Sequence, residues 1–289
     1  MSDDTSIESR DNPTRGLRQR ATLPLIIVAA LFIIVPFLTW YGTWFGRDLS
    51  DTKITEYLSD EKNPRHIQHA LAQIAERLDK KDAGARRWYP QIITLSHSNL
   101  AEIRSNSAWV MGKDNQSQEF RAALQRLLGD TEPIVQRNAA TALVAFGDAR
   151  GRNVLRSMLQ PYLLTSPVDG QVESVLKLGT TVKVGMMLSR IKTADNHVVE
   201  LRSPLAGEIE SVAVTVGATV KIGDAMLFIA PDSNSVWEAL RALYFVGEAD
   251  DLVLVDKYAN GVDKMPDQIK EQAALTAKAI QSRSGKSLQ

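Results

Sequence analysis

From Ala21 to Gly46 the chain carries no charge, and Leu25 to Val35 is apolar without a break. About 20 helical residues at 1.5 Å each cross a hydrocarbon core of roughly 30 Å, so this run predicts one transmembrane helix over 21–46. Pro24 stands at its start and Pro36 in its last third, positions a membrane helix tolerates. Beyond it the apolar positions take helical spacing. Val135, Ala139, Ala142, Leu143 and Phe146 share one face, with the small pair Ala139-Ala140 admitting a close neighbour. Ahead of them Phe120, Leu124, Leu127 and Leu128 mark a second amphipathic helix, and Asp130-Thr131-Glu132-Pro133 supplies cap candidates and a proline for a first turn.

The pattern repeats. Ile103 to Ala108 matches Val135 to Ala140 at a spacing of 32, and Ile269 to Ala274 has the same form, 34 residues after a copy beginning at Val236. The second and third copies stand about 100 residues apart, which marks an insertion. Within it, over 162–232, the period drops to two: Val212, Val214 and Val216 alternate with smaller or polar residues, and Gly and Pro punctuate. That segment predicts a β domain. It is itself duplicated, because Ser166-Pro167-Val168-Asp169-Gly170 pairs with Ser203-Pro204-Leu205-Ala206-Gly207. Gly179 to Gly185 likewise pairs with Gly217 to Gly223.

Paired helices at a period near 32 with a V-x-x-x-A-A core resemble HEAT repeats, in particular the short bacterial type named after phycobilisome lyases. The insert, with a Ser-Pro-x-x-Gly turn and G-x-x-V-x-x-G in each half, resembles the biotinyl/lipoyl domain, the barrel-sandwich hybrid of periplasmic adaptor proteins. The expected fold class is a membrane-anchored multidomain chain: an N-terminal transmembrane helix, then an all-α HEAT-like solenoid interrupted by an all-β barrel-sandwich hybrid. Its expected segments are a disordered tail 1–20, the span 21–46, helical repeats 47–161, the β domain 162–232, helical repeats 233–281 and a flexible tail 282–289.

Composition narrows the function. Lys and Arg together number 34, as do Asp and Glu, and Cys is absent, which removes thiol chemistry, leaves nucleic acid unfavoured and argues against an enzyme working through sulfur. No G-x-S-x-G, H-E-x-x-H or G-x-G-x-x-G occurs, so no enzymatic activity, cofactor, metal or small-molecule substrate is expected. In carrier members of the lipoyl family a hairpin-tip lysine bears the prosthetic group; the resemblance puts Asn196 or Asp195 there, and neither has an amine to acylate. His66 and His69, three apart, make at most two ligands of a metal site.

Four arginines, at 10, 15, 18 and 20, precede the span, against Arg47 and Lys53 among acids after it. This bias predicts an inner-membrane, single-pass, uncleaved signal anchor with a cytoplasmic N-terminus and a periplasmic C-terminal domain. Trp40, Tyr41, Trp44 and Phe45 are the expected interface anchors. Arg86, Arg87, Trp88 and Tyr89 form the candidate partner-facing patch, since aromatics with arginine dominate interface energetics. The expected function is a non-catalytic scaffold or assembly subunit whose partners are the bilayer, through 21–46, and other subunits of a membrane complex. The alternative is an adaptor-like transport component or a prosthetic-group carrier.

Overall fold

A computed structural model describes residues 27–38 and 48–286. The chain divides into two compact units, residues 1–52 and 53–289. In the first, residues 27–38 form helix α1, whose large apolar side chains are exposed. Among the described residues no helix is long and apolar enough to cross a membrane. The rest of the expected span, the anchors Trp40, Tyr41, Trp44 and Phe45, and the tail 1–20 lie outside the described residues.

Among the described residues ten helices follow, α2 (Asp51–Leu58) and α3 (Pro64–Asp79) and then four packed pairs: α4 (Tyr89–Leu95) with α5 (Ala101–Met111), α6 (Gln118–Leu127) with α7 (Pro133–Val144), α8 (Arg152–Ser157) with α9 (Ser233–Val246), and α10 (Leu252–Ala259) with α11 (Asp267–Lys286). Their starts are written in the sequence. Pro64 and Pro133 open α3 and α7, where a missing N–H leaves nothing unpaired. Ser117 caps α6 by accepting from the Phe120 amide at 3.2 Å, and Asp232 caps α9 by accepting from the Ser235 amide at 2.8 Å. The second helices, α3, α5, α7, α9 and α11, stack in chain order. Gly112 lets α5 approach α7, since a Cβ there would lie 2.9 Å from that of Ala142. Buried or half-buried pairs tie successive hairpins, with Arg104 to Asp130 at 2.7 Å and Arg121 to Asp148 at 2.9 Å.

Between α8 and α9 lie eight strands: β1 (Tyr162–Thr165), β2 (Gly170–Val175), β3 (Thr181–Val182), β4 (Met187–Lys192), β5 (Val198–Arg202), β6 (Gly207–Val212), β7 (Thr219–Val220) and β8 (Ala225–Pro231). They form two antiparallel four-stranded sheets, ordered β1-β8-β6-β3 and β5-β4-β2-β7. Exchanging the two halves of the sequence duplication (β1 for β5, β2 for β6, β3 for β7, β4 for β8) turns one order into the other. The hydrogen bonds repeat the exchange: the Gly179 amide donates to the Ile209 carbonyl and the Gly217 amide to the Val172 carbonyl, both at 2.8 Å. Each half therefore closes on the other. Gly179 and Gly217 turn with φ of +78° and +89°, a region that L side chains disfavour. Leu164, Val172, Leu188, Ile191, Ile209, Leu227 and Ile229 share the core between the sheets.

The helical core does not stop at the insertion. Ala140, Leu155, Met158 and Leu159 pack in one cluster with Val236, Leu240, Leu243, Val255 and Ile280. Tyr258 donates its hydroxyl to the Leu159 carbonyl at 2.9 Å across that same join. Arg156 meets exposed Asp250 and buried Asp251 at 2.7 and 2.8 Å. One expected boundary is corrected: residues 282–286 are not a flexible tail but the last turns of α11. Arg283 holds them by donating to the carbonyls of Tyr244 and Gly247 at 2.6 and 2.8 Å, groups left unpaired at the end of α9.

A candidate binding groove on the stacked helices

The candidate patch is not a surface of aromatic rings. Trp88 is 1 % exposed and Tyr89 is also buried; only Arg86 and Arg87 face solvent. Residues Ala83–Trp88 form a 3-10 turn that carries both rings inward. The Trp88 indole donates to the Thr55 hydroxyl at 3.0 Å, and the Tyr89 hydroxyl donates to Asp114 at 2.5 Å. Burial, with Asp114 alongside, pushes the Tyr89 phenol well above its usual range. Asp195 and Asn196 sit in the exposed β4–β5 turn, Asn196 at φ +63° and Asp195 accepting from the Thr193 hydroxyl. His66 pairs with Asp60 at 2.7 Å and stacks on Tyr57. Among the described residues no group of three or more His, Asp or Glu is placed to hold a metal ion.

Open surface chemistry gathers elsewhere. A groove of about 820 Å³ runs along α7, with Trp109 on α5 and Phe245 on α9 as its walls. Thr141, Ala142 and Ala145 floor it. Short side chains give the trough its depth, and the rings stand clear because each points away from its helix's core face. Trp109 is 45 % exposed and Phe245 63 %. On α9 the buried stripe is Val236, Ala239, Leu240 and Leu243. At 100° per residue Phe245 lies about 180° from Val236.

On α9 the groove's lining is charged, with Glu238 and Arg241, and Arg137 on α7 is not part of that lining. Arg137 on α7 is 6 % exposed, yet its guanidinium has no hydrogen bond or ion pair among the described residues. Burial pulls its pKa down, opposed by the fields of Asp232, Tyr162 and Glu238. Glu238 and Arg241 line the groove beside it. Glu238 is an exposed residue of the lining. Desolvation and Asp232 raise its pKa, while Arg137 and Arg241 hold it down. Lys113, also of the lining, is engaged by Asp79 at 2.9 Å and lies over the Trp109 ring. Apolar walls, a small-residue floor and the Arg241 guanidinium offer contact area and charge.

Residues 90–162 match the family model for HEAT repeats. That match covers α4 to α8 and includes the α5 wall and the α7 floor. HEAT repeats stack into extended surfaces that mediate protein–protein interaction. No curated protein matches the chain. A solved single-chain, multi-domain long-chain acyl-CoA carboxylase is similar at 21% identity over 36% of this chain and 10% of its own, with a TM-score of 0.24. A likeness that low carries no argument about fold or activity.

Proposed function

We propose that the protein is a membrane-anchored, non-catalytic scaffold or assembly subunit that holds other subunits of a membrane complex against its helical repeats. The observation that carries this reading is the groove of about 820 Å³ on the α5–α7–α9 face, walled by exposed Trp109 and Phe245. Large rings left in water on a concave repeat surface are the residues a partner buries. The uncharged run 21–46 supports anchoring in a bilayer. The arginine bias around it supports an inner-membrane protein with its C-terminal domain in the periplasm. Purification in mild detergent is expected to bring down partners in fixed stoichiometry; a protein recovered alone and monodisperse overturns the reading. Protease added to intact spheroplasts is expected to digest the helical repeats, and protection reverses the orientation.

The duplicated two-sheet module favours a second reading, a biotinyl/lipoyl-like carrier or transport adaptor. Its β4–β5 turn holds Asp195 and Asn196 in place of an acylatable lysine, and Lys192 lies at the end of β4. Intact mass tests the carrier, which gains the mass of its prosthetic group where a scaffold does not, and light scattering tests the adaptor, which assembles into rings.

A further inference from the structure

The duplication in the β module supplies an internal control. Its two halves repeat the same turn, so matching residues would be equally buried if the module stood alone. Their burial differs instead. In the first half Pro167, Asp169 and Gln171 are exposed, and Val168 and Gly170 are half-buried. In the second half the matching Pro204, Ala206 and Glu208 are half-buried, and Leu205 and Gly207 are buried. Five consecutive positions shift the same way, which marks the side of the module that the rest of the chain covers.

Leu205 is the large apolar residue on that side. It is 2 % exposed, yet it lies outside the cluster that forms the module's own core, against which its counterpart Val168 packs. The same strand points to the helices twice more. Glu208 meets Lys264, in the α10–α11 connection, at 2.6 Å in an exposed pair, and the charge of Glu210 acts on buried Tyr258 of α10. Among the described residues the Glu208–Lys264 pair is the only ion pair between module and helices.

Elsewhere the attachment is narrow. The core of the module and that of the helices flanking it share no residue. The neck is two chain crossings: Gln160-Pro161, exposed between buried Leu159 and β1, and Asp232 between β8 and α9. Parts of one chain joined in this way move as rigid bodies about a few hinge residues.

We propose that the β module is latched to the helical stack by Leu205 and the Glu208–Lys264 pair, and that it swings about the neck when the latch opens. Such a motion is independent of what the groove along α7 binds. Burying one leucine and closing one exposed pair favour the latched state by on the order of 100-fold.

The chain has no cysteine, so two introduced ones carry spin labels cleanly: Ala194→Cys in the exposed β4–β5 turn and Gln281→Cys at an exposed position of α11. Double electron–electron resonance on the full chain in detergent micelles then reads the separation of module and helices. The labelled parent is expected to give one dominant separation. Leu205→Ser should raise the open population by about 10- to 100-fold, seen as a second separation. In that background Glu208→Lys should raise it by up to about fivefold more, and adding Lys264→Glu should reverse that step. Gln171→Lys, the matching change in the first half, should leave the parent's separation as it is. A parent already spread over many separations, a single unchanged separation in Leu205→Ser, or an equal response to Gln171→Lys overturns the inference. Loss of strand protection from hydrogen exchange in Leu205→Ser overturns it as well, because Leu205 then belongs to the module's own core.

Discussion

Leu155 precedes the β module and is fully buried among residues that follow it, so Leu155→Ala reports on whether the two flanks share one core. Three carbon groups leave apolar surroundings at about 0.8 kcal/mol each. A void of about 50 Å³ that fails to close adds about 1 kcal/mol. The sum is about 3–4 kcal/mol. For a unit of this size each kcal/mol moves the midpoint by roughly 2–4 °C, so the melt should fall by about 10 °C and remain a single transition. Hydrogen exchange supplies the sharper readout. The slowest amides of α9, α10 and α11 should exchange on the order of 300-fold faster, because they open with the core that Leu155 supports. Faster exchange confined to residues 149–160, with α9 to α11 unchanged, refutes the shared core.

Three further changes probe the parts separately. The Arg104 guanidinium holds the Asp130 carboxyl below its usual range. Its stabilisation is therefore complete at neutral pH and is lost as pH falls through and below about 4; Asp130→Asn should flatten that acid limb in urea titrations. Burial pushes the Tyr258 phenol up to about 12, so its contribution holds below about pH 10 and fades as pH rises toward the folded value. Tyr258→Phe should cost about 1 kcal/mol at neutral pH and remove this alkaline loss. At Gly170 a Cβ would sit 2.5 Å from the Lys192 carbonyl, so Gly170→Ala should destabilise by about 1–3 kcal/mol, read by the loss of strand protection in hydrogen exchange with the helices unaffected.

Local chemistry explains which features could be read from the chain. The paired Ser-Pro-x-x-Gly segments announced the duplication because each half needs the same turn: Ser166 and Ser203 both bend back to the carbonyl two residues ahead, Val168 and Leu205. The helical repeats were legible for a similar reason, since Val135, Ala139 and Leu143 must share the core face. What failed depended on partners distant in sequence. Arg86 and Arg87 beside Trp88 suggested a surface, but the indole's partner is Thr55, 33 residues earlier. The polar end of α11 suggested a loose tail, yet its anchor is the row of unpaired carbonyls closing α9. The groove was hidden most deeply. Phe245 sits opposite its helix's core stripe, a signal present in the sequence. That its ring faces Trp109 across α7 emerges only when α9 is stacked beside α7 with the insert set aside.

Excision of the insert tests that stacking most directly. Tyr162 pairs with Ile229 across adjacent strands, Cα atoms about 5 Å apart, so a few Gly and Ser residues can replace Leu163 to Phe228. The links lost include the strand pairings of Tyr162 and Pro231 and the exposed ion pair of Lys264 with Glu208, and such exposed pairs contribute little. The account predicts that the shortened chain keeps its helical circular dichroism, melts cooperatively and retains slow exchange through α9 to α11. Helices α9 to α11 exchanging as an unfolded segment, while α3 to α7 stay protected, would contradict it.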